Sequence, residues 1–303
     1  MCKEIMKEKL KQKQIKKVGM ISLTIIFLCW MIWGNVTIST TYYEIALKNL
    51  PHSFIGYKIA QVSDLHNAEF KDKNANIIEI LNKENPDIIV ITGDLIDSNR
   101  IHIEVAVQFL KQAVQIAPCY YVTGNHEAWI GDTYQQLERA IIEVGVKVLH
   151  NEMVLLSKNE ESIQLIGLDD PDFMDRDVIV QENILESTLK DLNLQDGFKL
   201  LLSHRPEMFD SYVSTNIDLV LCGHAHGGQF RIPFIGGIVA PNQGLFPKYD
   251  AGIFGEKETM MVVSRGIGNS IIPIRLNNRP EINIVKLKSS YESMRINVTE
   301  NKR

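Results

Sequence analysis

Five short polar motifs constrain this chain most, because each follows directly on an apolar run that is typical of a β-strand. In chain order they are Asp64-Leu65-His66, Gly93-Asp94, Gly124-Asn125-His126-Glu127, Ser203-His204 and Gly223-His224-Ala225-His226. The apolar runs alternate with helical patterns, which favours a largely parallel sheet flanked by helices. Strands of such α/β folds present ligand-binding groups at their carboxyl ends. The motifs therefore predict one site built from distant segments.

The remaining elements follow from hydrophobic periodicity. Strands are predicted at residues 57–63, 88–92, 118–123, 147–149, 153–157, 163–168, 199–203, 217–222, 260–264 and 282–287. Helices are predicted at 74–85, 103–116, 133–144 and 182–192, with Thr133 as the cap of the third. Residues 227–255 are rich in Gly and Pro and predict a long loop, and the polar tail 289–303 is expected to be loosely ordered.

An uncharged apolar run from Val18 to Trp33 follows a lysine-rich leader. Residues 1–17 hold seven Lys and two Glu, a net charge of +5. Because the whole chain has a net charge of −5, the remainder has a net charge of −10. With its flank to residue 38 the run is long enough to span a bilayer, whereas a lysine-rich leader suits a soluble core poorly. We expect a cytoplasmic leader at 1–17, an uncleaved transmembrane signal anchor at 18–38 and a globular domain at 43–288.

Lysines concentrate on the cytoplasmic side of a membrane span. The leader therefore predicts a single-pass protein of the cell membrane whose globular domain, at 43–288, lies on the extracytoplasmic side. The acidic body does not suit non-specific capture of nucleic acid, which relies on Lys and Arg, so no stable nucleic-acid partner is expected.

The motif residues are oxygen and imidazole ligands of the kind that transition metals use. Asp64 and His66 are two positions apart and can leave a strand end on the same side, and the two oxygens of Asp94 can bridge two cations. A single Asp or His after a strand is usually a turn or surface residue. Here, however, five of the eight histidines follow predicted strands, and the other three (52, 102 and 150) are interpreted as solvated. Two cations held close together can catalyse phosphoester hydrolysis.

The order of these motifs (D-x-H, G-D, G-N-H-E, H and G-H-x-H) resembles the calcineurin-like metallophosphoesterase superfamily over about residues 55–287. The resemblance implies a four-layer α/β/β/α sandwich with a dinuclear metal centre. Carried over by position, it implies that the first metal is held by Asp64, His66 and His226, and the second by Asn125, His204 and His224. Asp94 would bridge the two metals. His126 would be the catalytic residue that stabilises the transition state or protonates the leaving oxygen.

Further stretches resemble the membrane-anchored bacterial branch of this superfamily, namely GHAHGGQFRIP, VSRGIGNS and IPIRLNNRPEINIVKL. Some members of that branch hydrolyse UDP-2,3-diacylglucosamine, a lipid A precursor. Among the residues in or near loops beyond the ligands, Gln229, Arg231 and Arg265 are candidates for substrate binding, since Arg suits phosphate recognition. A surface role for each is an equal alternative.

The sequence thus predicts a metal-dependent phosphoesterase that cleaves a phosphodiester or pyrophosphate bond at the membrane surface, on a lipid-linked or envelope substrate. Two divalent ions are expected, and the mixed ligand set fits Mn, Fe, Zn and Ni alike. A nuclease or nucleotide phosphodiesterase is the alternative within the same fold. A non-catalytic scaffold is disfavoured because every ligand position is filled, and a zinc protease because no HExxH motif is present.

Overall fold

The computed structural model describes residues 2–70, 72–174, 178–269 and 272–290. Its helices are α1 (Cys2–Val36), α2 (Ala75–Glu84), α3 (Ile103–Ala113), α4 (Asn125–Trp129), α5 (Tyr134–Glu143), α6 (Val178–Asp191) and α7 (Phe209–Ser214). Its strands are β1 (Ser39–Leu47), β2 (Lys58–Val62), β3 (Ile88–Thr92), β4 (Cys119–Val122), β5 (Lys147–Val148), β6 (Glu152–Lys158), β7 (Glu161–Gly167), β8 (Lys199–Leu202), β9 (Leu219–Cys222), β10 (Arg231–Ile232), β11 (Gly236–Gly237), β12 (Val239–Ala240), β13 (Gly244–Leu245), β14 (Gly252–Glu256), β15 (Thr259–Val263) and β16 (Glu281–Ser289).

Two six-stranded sheets form the centre of the domain. The first has the order β1-β16-β2-β3-β4-β5 and the second the order β14-β15-β9-β8-β7-β6. Strands β2, β3 and β4 are parallel to one another, as are β7, β8, β9 and β15, whereas β16 is antiparallel to β2. The carboxyl ends of the parallel strands carry the polar motifs.

Alternating apolar side chains form three hydrophobic clusters, one between the two sheets and one between each sheet and its helices. In β3, Ile89 and Ile91 pack outward with α2, α3 and α5, while Ile88 and Val90 pack inward between the sheets. This is the two-residue period of a strand that is buried on both faces. On the far side, α6 and α7 pack over the second sheet through Leu185, Phe209 and Tyr212. The order helix, sheet, sheet, helix confirms the predicted four-layer α/β/β/α sandwich.

The N-terminal helix α1 is continuous through the lysine leader and the apolar run. Its segment Met6–Val36 is long and apolar enough to cross a membrane, and the domain does not bury it. The predicted boundary between the leader (1–17) and the span (18–38) therefore falls within one helix, which ends at Val36, two residues before the predicted end of the span. Strand β1 begins at Ser39, before the predicted domain start at residue 43, and the domain bounds remain a prediction.

Several local predictions were wrong. Strand β1 was not predicted, although it pairs in parallel with β16 from Ser39 to Leu47. The predicted loop 227–255 contains two short ribbons, β10-β11 and β12-β13, and most of β14. Thr133 makes no side-chain capping bond to α5. Ser289, predicted in the loose tail, ends β16, and residues 291–303 lie outside the described part of the chain.

Candidate metal centre

The seven predicted metal ligands lie at the carboxyl ends of β2, β3, β4, β8 and β9, and each is at most 5% exposed. Six of them form two groups that could each hold a metal ion. One group is Asp64, His66, Asp94 and His226, and the other is Asp94, His204 and His224; within each group the ligand atoms lie within 4.8 Å of one another. Asp94 belongs to both groups, so one carboxylate connects the two halves of the cluster.

The first group is compact. His66 Nε2 lies 3.1 Å from His226 Nε2 and 3.5 Å from Asp94 Oδ2. His226 Nε2 lies 3.4 Å from Asp64 Oδ1, which also accepts the backbone N–H of His224 at 3.0 Å. Two ring nitrogens and two carboxylates therefore converge on one point between the sheets.

The second group shares Asp94 with the first. His204 Nε2 lies 3.1 Å from Asp94 Oδ2 and 3.2 Å from His224 Nδ1. On its other side, His204 Nδ1 lies 2.7 Å from the carbonyl oxygen of Thr92. Since a carbonyl only accepts, Nδ1 carries a proton, and in the neutral ring the lone pair of Nε2 points into the cluster, as in many metal-binding histidines.

Two buried oxygens at the cluster fit a cation. Asp64 Oδ2 and Asn125 Oδ1 have no hydrogen-bond partner among the described residues. An unsatisfied buried acceptor costs about 1–3 kcal/mol, and a cation would remove that cost for both atoms. Together with the imidazole nitrogens, these oxygens make a mixed N/O set that suits divalent transition metals.

The backbone at the cluster is held in an uncommon conformation. Asp64, His66, Asp94, His224 and His226 all have positive φ, between 46° and 66°. Non-glycine residues in this region cost of order 1–3 kcal/mol each and persist only where the surroundings fix them. Such strain is typical of functional sites, and it directs these side chains into the space between the two sheets.

Glu127 and Gly93 help to fix that backbone. Glu127 Oε2 accepts the N–H of Asp94 at 2.9 Å and of Gly124 at 2.7 Å, so one buried carboxylate joins the ends of β3 and β4. Gly93 has φ 86°, and a Cβ there would lie 2.4 Å from His204 Nδ1. The G-D motif therefore needs glycine both for its backbone conformation and for the approach of His204.

Charge and burial shift the pKa values of the side chains in the cluster. Burial raises the pKa of Asp64 to about 6 and lowers the pKa of His66 to about 3. Burial also opposes ionisation of Asp94, but His204 and His126 outweigh it and hold the pKa of Asp94 well below its usual range. Burial opposes ionisation of His204 as well, but the charge of Asp94 outweighs it and raises the pKa of His204 to about 10. Metal binding needs a neutral ring, so a cation beside Asp94 would replace the proton on His204 Nε2.

His126 lies beside the cluster rather than in it. It is 2% exposed, its ring centroid is 4.5 Å from that of His66, and its backbone N–H donates to Asp94 Oδ1 at 2.9 Å. The backbone N–H of Ser98 donates to His126 Nδ1 at 3.0 Å. A neutral His126 therefore carries its proton on Nε2, the nitrogen from which it could donate a hydrogen bond to a leaving oxygen.

The structure adds Arg205 and its partner Asp170, which belong to none of the five motifs. Arg205 is 1% exposed, and its Nε and Nη2 donate to the two carboxylate oxygens of Asp170 at 2.6 and 2.7 Å. Arg205 Nη1 lies 3.4 Å from His224 Nε2. A buried bidentate ion pair therefore lies directly behind one candidate ligand.

The three candidate substrate residues contact their own chain. Gln229 Nε2 donates to the carbonyls of Ile272 and Ile274 at 2.8 and 2.7 Å. Arg231 pairs with Asp250 at 2.9 Å, and Arg265 pairs with Glu281 at 2.5 Å. Of the histidines interpreted as solvated, His150 instead contacts both Asp169 and Glu138.

Comparisons with known proteins agree with this geometry. Residues 57–228 match the calcineurin-like phosphoesterase family. The chain is 32% identical to the uncharacterized metallophosphoesterase YkuE of Bacillus subtilis, over 84% of this chain and 86% of YkuE. It is 28% identical to the phosphodiesterase YaeI of Escherichia coli, over 76% of this chain and 82% of YaeI. It is also 30% identical to a transmembrane protein with metallophosphoesterase domain from Danio rerio, over 82% of this chain and 56% of that protein.

Proposed function

Because the chain belongs to the calcineurin-like phosphoesterase family, whose members are metal-dependent hydrolases of phosphoesters, we propose that it cleaves a phosphodiester or pyrophosphate bond at a membrane surface with two divalent cations. The observation that carries the proposal is the position of Asp94. Its Oδ2 lies 3.5 Å from His66 Nε2 and 3.1 Å from His204 Nε2, between the two groups of candidate ligands.

In this proposal Asp64, His66 and His226 would hold the first cation, Asn125, His204 and His224 would hold the second, and Asp94 would contact both. Two bound cations polarise phosphoryl oxygens and activate water at neutral pH. His126 is the catalytic residue, whose Nε2 would stabilise the transition state or protonate the leaving oxygen. The same set of residues would fit Mn, Fe, Zn or Ni.

The N-terminal helix and the relatives named as transmembrane proteins indicate a membrane protein. We place the domain outside the cytoplasm, because the seven lysines of residues 1–17 precede the apolar run. A lipid-linked or envelope phosphoester is then the substrate class. Protease treatment of intact cells tests the orientation, since an external domain is digested before lysis, whereas digestion only after lysis would contradict it.

Metal analysis of the full chain in detergent tests the centre itself. We expect two divalent ions per chain and a marked loss of both in Asp94→Asn, while Asp132→Asn, on an exposed turn, keeps both. A full metal complement in Asp94→Asn would contradict the bridging role. The same preparations are then assayed on a chromogenic diester, a chromogenic monoester and a lipid-linked pyrophosphate.

The substrate series separates the proposal from its alternative. If the protein cleaves the diester and the lipid-linked substrate, and Asp94→Asn loses both activities, the result supports a phosphodiesterase at the membrane. Preferential cleavage of oligonucleotides or cyclic nucleotides would instead support a nuclease or nucleotide phosphodiesterase. Absence of turnover on every phosphoester despite two bound ions would favour a scaffold and contradict the proposal.

A further inference from the structure

A cleft of about 140 Å³ lies where the membrane helix meets the domain. It is lined on one side by α1 and on the other by the segment that precedes β16; the lining residues used here are Trp30, Trp33, Arg265, Arg275, Asn277 and Arg279. Except for Arg265, a candidate substrate residue, none of these belongs to the site proposed above. Two aromatic rings and three guanidinium groups therefore meet at one junction.

The three arginines differ in how their charge is balanced. Arg265 is neutralised by Glu281 through contacts at 2.5 and 2.7 Å. Arg275 is 2% exposed and donates to Asn269 Oδ1 at 2.9 Å and to the carbonyls of Arg265 and Gly268. Arg275 Nη2 also lies 3.4 Å from His226 Nδ1, and in the described part of the chain no carboxylate lies within ion-pair distance of Arg275. A buried cation of this kind favours an anion beside it.

Arg279 adds a second unbalanced charge. Its guanidinium stacks over the ring of Trp33 at 4.5 Å, and it donates to Thr37 Oγ1 at 3.0 Å and to the carbonyl of Ile38 at 3.1 Å. All of these partners are neutral, and among the described residues no acidic side chain is paired with Arg279. The cleft wall therefore carries a net positive charge from Arg275 and Arg279.

The position of the cleft indicates which anion it meets. Trp30 and Trp33 lie at the end of the apolar run of α1, and tryptophans at the end of a membrane span lie at the level of the lipid headgroups. The cleft, at about 140 Å³, has room for a small group beside these two rings, since a water molecule occupies about 30 Å³. Arginine forks match phosphate geometry, and their affinity for phosphate grows when water is excluded.

We propose that this cleft binds the phosphate of an anionic phospholipid headgroup, with the guanidinium groups of Arg275 and Arg279 as its donors. The acyl chains would then lie along the exposed apolar side chains of α1, such as Ile26 and Trp33. Arg275 contacts the candidate ligand His226, but lipid binding is measured without turnover, so this proposal can fail while the catalytic proposal holds.

Lipid titration of the full chain tests this site. The protein is kept in an uncharged detergent and titrated with short-chain phosphatidylglycerol, short-chain phosphatidylcholine and inorganic phosphate. Tryptophan fluorescence reports binding, because two of the three tryptophans of the chain line the cleft. We expect saturable binding of phosphatidylglycerol, with phosphatidylcholine and inorganic phosphate at least about tenfold weaker.

Two variants of the cleft and one control variant show where the lipid binds. Arg279→Gln removes one donor and should weaken phosphatidylglycerol binding at least about tenfold, as expected for a charge-assisted contact. Arg139→Gln removes the same charge from the exposed side of α5 and should leave binding unchanged. Asn277→Asp places a negative charge on the exposed cleft rim without touching the contacts of Arg279 to α1, and should also weaken binding.

Three results would overturn the proposal. Equal affinity for phosphatidylcholine would show that charge plays no part. Tighter binding of inorganic phosphate than of the lipid would make this a site for free phosphate instead. Unchanged lipid affinity in both Arg279→Gln and Asn277→Asp would place the binding elsewhere on the protein.

Discussion

Asn35 and Arg275 hydrogen-bond each other in both directions across the junction between the membrane helix and the domain. Asn35 Nδ2 donates to the carbonyl of Arg275 at 2.9 Å, and the backbone N–H of Arg275 donates to Asn35 Oδ1 at 2.8 Å. Three residues further on, Asn278 Nδ2 donates to the carbonyl of His226 at 2.7 Å. One short segment therefore contacts both the end of α1 and the backbone of a candidate metal ligand.

The Asn35–Arg275 pair predicts that the end of α1 stabilises the domain. Asn35→Ala removes both hydrogen bonds, each worth about 1 kcal/mol net, and should lower the thermal midpoint by several degrees. Thr24→Ala is the matched control, because Thr24 bonds only to Met20 within the same helix. Differential scanning fluorimetry of both variants in one detergent measures the effect. Equal midpoints for the two variants would show that the junction contributes no stability.

His126 predicts a variant that separates metal binding from turnover. His126→Ala keeps the backbone N–H that donates to Asp94 Oδ1, so the metal content should stay at the parent level. Loss of a positioned acid should lower kcat by roughly 10²–10⁴-fold. Metal analysis and a diester assay on the same sample measure the two quantities.

His52→Ala serves as the control for His126→Ala, since His52 is exposed and lies in a short helical turn before β2. It should keep both metal and turnover. If His126→Ala cleaves the diester as fast as His52→Ala, the catalytic role is wrong. If it loses its metals, His126 acts by supporting the ligands instead.

The features that were predicted well from the sequence are those that depend on short, contiguous segments of the chain. Strand β3 is an uninterrupted apolar run followed by Gly93 and Asp94, and the parallel topology alone brings its end to the ends of β2 and β4. Each ligand motif follows its own strand, so no knowledge of distant contacts was needed to expect that the ligands converge. The fourfold layering was predicted only from the family resemblance, because the alternation of strands and helices by itself predicts a parallel sheet flanked by helices.

The features that were missed depend on partners far away in sequence. Strand β1 does carry a period-two pattern at Tyr43, Ile45 and Leu47, but it directly follows a membrane helix and pairs with β16 some 240 residues later. The ribbons of residues 231–245 consist of two-residue strands, which leave no periodicity to detect. The contact of Arg205 with Asp170 joins two loops, and no sequence pattern predicts such a pair.

That ion pair predicts a large loss of stability. Asp170→Asn leaves the guanidinium of Arg205, which is 1% exposed, without its bidentate partner. Breaking a buried pair on one side costs about 3–5 kcal/mol, because the remaining charge stays buried. Chemical denaturation measures this cost, with the exposed Asp132→Asn as the control. A loss below about 1 kcal/mol would mean that Asp172, 2.9 Å from Arg205, compensates fully.

His150 predicts how stability depends on pH. Its hydrogen bond to Asp169, together with its contact to Glu138, raises the pKa of His150 to about 9. A histidine whose pKa is raised by folding stabilises the protein fully below its unfolded value of about 6.5, and this contribution disappears as pH rises through the folded value. Stability from this group should therefore fall between about pH 6.5 and 9. Since its side chain is 38% exposed, solvent screening limits the effect to about 1 kcal/mol.

His150→Gln isolates this contribution from the other titrating groups. Denaturation midpoints of the parent and of His150→Gln are compared at intervals from pH 6 to pH 10. Their difference should be largest at pH 6 and vanish near pH 10, because above the folded pKa the parent histidine is neutral as well. His52→Gln, which changes an exposed histidine, should follow the parent throughout. A difference that stays constant with pH would assign the effect of His150 to packing rather than to its charge.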